Sequence, residues 1–105
     1  MGSTLYYSGQ YLLAHQHFIQ GWQSLDESNV GFEKSIALGL AKVYTRTGYW
    51  YHAKQWNLYF LKLAKKHHDL FDISQGYGAL GELFLRANFK QQAMSCFNIA
   101  FHLLP

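Results

Sequence analysis

Three chain-reversing positions, Gly9, Gly48 and Asn88, follow one another at separations of 39 and 40, and the same kinds of residue come after each in the same order. Five residues on comes an alanine: Ala14, Ala53 and Ala93. Four further come Phe18, Asn57 and Phe97, and three beyond those Gly21, Phe60 and Ala100. Ahead of the last two turns, Ala37, Leu40 and Tyr44 match Tyr77, Leu80 and Phe84 at a separation of 40. A unit that repeats at this period leaves an apolar face that only its neighbour can cover, so the units are expected to stack. The small residue lets a paired helix approach closely. The larger one a turn later fills the gap beside it, and the next small one admits the following hairpin.

The only proline is Pro105, so no ring constraint breaks a helix inside the chain. Gly9-Gln10, Asp26 to Asn29, Thr47-Gly48, His68-Asp69 and Ala87-Asn88 punctuate it. Between them the spacing of apolar residues predicts five helices, over 10–25, 31–46, 50–67, 70–86 and 89–103. Trp50, Ala53, Trp56, Phe60 and Leu63 recur at intervals of three and four, as do Phe89, Ala93, Phe97 and Ala100. Asn29 and Asp69 suit helix N-caps. Gly48 and Asn88 suit the left-handed position that turns a chain back. Lys65, Lys66, His67 and His68 close the third helix, where the dipole favours positive charge.

These units resemble the tetratricopeptide repeat family. The last unit carries the resemblance best, with Gly81, Phe84, Ala93, Phe97, Ala100 and Pro105 at the signature positions. The middle unit keeps Leu40, Tyr44, Gly48, Trp50 and Ala53, and departs from the pattern at Ala41, Asn57 and Phe60. The first unit has only its second helix in full, with Leu5 to Tyr7 as the end of its first. The resemblance implies one all-α domain over 1–105, made of a partial repeat 1–28 and repeats 29–68 and 69–105. Its antiparallel hairpins would stack in a right-handed superhelical solenoid. A period near 40 looks like the longer-helix subgroup of scaffold proteins, and not the shorter pentatricopeptide RNA-binding repeats.

Composition narrows the function classes. Charged residues make up 14% and aromatics 18%, so large apolar faces must be buried internally or kept for a partner. The net charge of +3 comes from scattered basic residues and does not demand nucleic acid. One cysteine, Cys96, excludes a disulfide within the chain and fits a reducing, cytoplasmic setting. No apolar run reaches membrane-span length. None of the six histidines pairs at i and i+4, so no metal or other cofactor is expected. No serine sits in a nucleophile elbow. Gly76, Gly78 and Gly81 follow no strand, and close helix packing explains them better than a dinucleotide site.

The expectation is therefore a binding or scaffold module and not an enzyme. In the family resembled, the first helix of each hairpin lines a groove. That implies a partner surface made by Lys42, Thr45 and Arg46 in one unit and Glu82, Leu85 and Arg86 in the next. Arg46 and Arg86 are 40 apart, and two adjacent guanidiniums would receive a carboxylate of an acidic protein or peptide. Two other readings stand beside this one. The apolar ends, with Phe97, Phe101 and Leu104 at one and Leu12, Phe18 and Trp22 at the other, would stack on further repeats or on another copy. A basic, aromatic-rich surface, with the run Lys62 to His68 as its most basic stretch, would make the chain an RNA-binding helical repeat.

Overall fold

The structure, a computed structural model, describes residues 10–23 and 30–103. It contains five helices and, among the described residues, no strand: α1 Tyr11–Gln23, α2 Val30–Thr47, α3 Trp50–Lys66, α4 Leu70–Arg86 and α5 Lys90–Leu103. Each expected helix is present, and the bounds agree to within two residues. Gly9, Leu5 to Tyr7, Asn29, Leu104 and Pro105 lie outside the described residues.

The turns set the period. Gly48, His68 and Asn88 take positive φ, at 85°, 54° and 70°, and they are evenly spaced along the chain. After each, the next N–H donates to a carbonyl five residues back: Tyr49 to Tyr44 at 2.9 Å, Asp69 to Ala64 at 3.1 Å and Phe89 to Phe84 at 2.7 Å. This bond satisfies a carbonyl that a helix end would otherwise leave free. Each helix with its turn thus takes half of the sequence repeat, and a hairpin takes the whole of it. Glycine and asparagine enter this conformation cheaply. His68 does so against the clash of its Cβ. Asp69 then caps α4 as expected, its carboxylate accepting the Asp72 N–H at 3.0 Å. That bond is the main reason its carboxyl is held below the usual range.

Packing follows chain order. Each helix lies against the next, and α2 also touches α4, so the first helices of successive hairpins meet. Ala14, Ala53 and Ala93 are all fully buried, as their shared register requires. Two core clusters result. One joins α1 to α2 through Ala14, Phe18, Ile36, Leu40 and Val43. The other joins α3, α4 and α5 through Ala53, Leu61, Leu80, Leu83 and Cys96. Tyr44 packs against both. Each buried Leu, Val or Phe contributes about 1.5–3 kcal/mol of apolar transfer.

Glycines mark the closest approaches. A Cβ on Gly39 would run into the Phe18 ring, and one on Gly76 into the Leu61 side chain. At Gly81 it would lie 2.7 Å from Phe97 Cε1. Gly78 has open space instead, so only two of the three spaced glycines serve packing.

The ends differ from the expectation at two residues. Phe18 is buried, because Gly39 lacks the Cβ that would hold the ring off α2. Trp22 is half-buried, its ring 4.9 Å from that of Trp56 and 5.6 Å from that of Tyr59. Leu12, Phe97 and Phe101 are exposed.

Candidate functional site

The first helices bring Arg46 and Arg86 to one carboxylate, and it belongs to the chain itself. Glu82 Oε1 lies 3.0 Å from Arg46 Nη2 and 3.1 Å from Arg86 Nε. Lys34 makes a second bridge between α2 and α4, 2.7 Å from Asp72. All of these groups keep some contact with water, so each pair contributes at most about 1 kcal/mol, and their main effect is on register. Thr45 does not line a groove. It is buried, and its hydroxyl donates back to the Ala41 carbonyl at 2.8 Å, since the α2–α4 contact covers that side of the helix. Lys42 is half-buried and Leu85 is exposed.

Two clefts open at the turn ends of the hairpins, and the sequence repeat relates them. The near cleft, of about 660 Å³, lies between α1, α2 and α3. The far cleft, of about 420 Å³, lies between α3, α4 and α5. Val43, Tyr44, Thr47, Tyr49 and His52 of the near cleft stand one full repeat before Leu83, Phe84, Ala87, Phe89 and Gln92 of the far one. Tyr11, Leu12 and His15 precede Trp50, Tyr51 and Lys54 in the same way, at the slightly shorter first spacing. All eight positions of one cleft recur in the other. The geometry recurs too: Tyr44 meets Tyr49 edge-on at 6.0 Å and 75°, and Phe84 meets Phe89 at 6.3 Å and 78°.

Each cleft forms where one second helix, the next first helix and its turn fail to close over a pair of rings. Leu12, Tyr49, Tyr51 and Phe89 remain more than half exposed at the rims. The near cleft is the more polar. His15 Nε2 lies 2.8 Å from the Tyr44 hydroxyl, and His52 stacks on the Tyr44 ring at 5.1 Å. Burial, and then the neighbouring Tyr49, pushes the Tyr44 phenol up. In the far cleft Phe84, Ala87 and Gln92 replace Tyr44, Thr47 and His52, and Lys54 replaces His15.

Reading the sequence for one groove missed these clefts. The signal that could have found them is the aromatic on each side of the turn, Tyr44 with Tyr49 and Phe84 with Phe89. Among the described residues no three His, Cys, Asp or Glu side chains gather as a metal site, and no helix is long and apolar enough to cross a membrane. No family model, curated protein or solved structure matches the chain.

Proposed function

We propose that this chain is a protein-interaction module of tetratricopeptide type, which holds a partner protein or peptide and catalyses nothing. The observation that carries this reading is the duplicated cleft. A surface rebuilt at the same eight positions one unit further on suits a partner that runs along the stack. Exposed aromatics at the rims supply the large, rigid contact area on which binding energy concentrates. The Arg46–Glu82–Arg86 cluster is the module's other surface, and there a partner carboxylate competes with Glu82 for the guanidiniums. Affinity capture from cell extract with the wild-type chain tests the proposal. The Tyr51→Ala, Phe89→Ala and Arg46→Ala, Arg86→Ala double variants run in parallel. A protein retained by the wild type and lost by either variant is expected; identical recovery by all three defeats the reading.

A second reading rests on α5. Met94, Phe97, Ile99 and Phe101 are exposed on it, with Phe101 at 76%. Such a face fits self-association or stacking on further repeats. Light scattering over a concentration series distinguishes it: a mass that stays monomeric at high concentration removes it.

A further inference from the structure

Charge is segregated between the two kinds of helix. α1, α3 and α5 contain no aspartate or glutamate, and they carry Lys54, Lys62, Lys65, Lys66 and Lys90. Every described acid lies on α2 or α4 or caps α4, and each is engaged within the fold. Glu33 accepts the Tyr59 hydroxyl, and that bond, ahead of burial and the Glu33 charge, pushes the Tyr59 phenol up to about 12. Asp69 holds its cap, Asp72 pairs with Lys34, and Glu82 holds two arginines. Among the described residues the positive charge of α3 and α5 therefore meets no acid on its own helix, whereas on the first helices Lys34, Arg46 and Arg86 are paired with Asp72 and Glu82.

Both clefts have second helices as walls, and among the described residues neither is lined by a carboxylate. Lys54 lines the far cleft and, among the described residues, makes no ion pair. His15 and His52 line the near cleft.

Resting on the protein-interaction reading, we propose that these clefts take an acidic peptide segment with two large apolar side chains, one seated in each. The apolar walls and rim aromatics bind the side chains, and the lysines of α3 and α5 attract the carboxylates. Two anchors on one strand make the second engagement intramolecular, which raises affinity without a new kind of contact. A nucleic acid fits less well. Lys54 is the one lysine among the lining residues and Lys90 follows the rim residue Phe89, while Lys62, Lys65 and Lys66 lie about 12 Å or more further along α3, so the phosphate contacts beside the aromatics are few and confined to the far cleft.

Random peptides displayed on phage and selected on the full wild-type chain supply the probes, remade with a fluorescein label for anisotropy titration. The selected peptides should be rich in Asp and Glu and carry two large apolar residues. The double variant Tyr51→Ala, Phe89→Ala and the single variant Leu12→Ala alter exposed positions, and circular dichroism checks that they fold. The double variant should weaken binding at least about tenfold. Lys54→Glu should weaken it at least about threefold, and added salt should lower wild-type affinity. Neutral or basic selected peptides overturn the inference. So do peptides that bind the cleft variants at full strength and fail on Arg46→Ala, Arg86→Ala; the interaction reading then survives. If no peptide is selected, both readings fall. A labelled single-stranded oligonucleotide that binds more tightly than every selected peptide assigns the face to nucleic acid and ends the inference.

Discussion

A ring lies over a glycine at each end of the described chain, and the contact is sealed at one end and open at the other. At the α1–α2 joint Phe18 lies over Gly39 and is 7% exposed. At the α4–α5 joint Phe97 lies over Gly81 and is 39% exposed. Between them, at the equivalent position of α3, stands Asn57. It is fully buried, and neither polar atom of its amide has a hydrogen-bond partner. The first helices change with it. The repeat places Ala79 where Gly39 stands and Ala41 where Gly81 stands, and both alanines are buried. By repeat position the larger ring goes with glycine and the shorter Asn57 side chain with alanine, so size is partly offset while polarity changes.

The comparison can be broken first at its sealed end. Gly39→Ala puts a methyl group into a ring that has nowhere to go, and should cost about 3 kcal/mol, read as a lower urea midpoint at unchanged slope. A midpoint at the wild-type value would mean that the Phe18 contact is misread.

The middle joint should respond in the opposite sense. Asn57→Leu keeps the branched shape and removes two unsatisfied polar atoms, so the chain should gain about 1–2 kcal/mol. A loss of stability would show that the amide finds partners in solution, such as a bound water.

The turn at the end of α3 gives a smaller effect. His68→Gly relieves a left-handed histidine and should stabilise by about 1 kcal/mol, whereas Asn88→Gly, at the equivalent turn, should change little. Equal gains at both turns would remove the distinction between them.

Smallest of all, Gly81→Ala should lie within about half a kcal/mol of wild type, because better helix propensity offsets a ring that can swing outward. A loss as large as that of Gly39→Ala would show that the open joint is closed in solution, and would favour association through α5.

Much of this could be read from one dimension. The helices, the left-handed Gly48 and Asn88 and the Asp69 cap follow from local rules, because helical spacing and turn chemistry act over a few residues, and the register of the repeat marks Ala14, Ala53 and Ala93 for burial. His68 escaped, since histidine carries no left-handed preference strong enough to announce it. What tertiary structure alone decided depends on which face meets which neighbour at what depth. A shift of one helix against the next changes every such contact without changing any local signal. Phe18 was legible as apolar, but only the missing Cβ of Gly39 buried it. Arg46 and Arg86 were legible as neighbours, but only the approach of α4 to α2 put Glu82 between them and closed over Thr45. The clefts are the clearest case: three helices must meet before the space between them exists, so side chains far apart in the chain became one surface through packing alone.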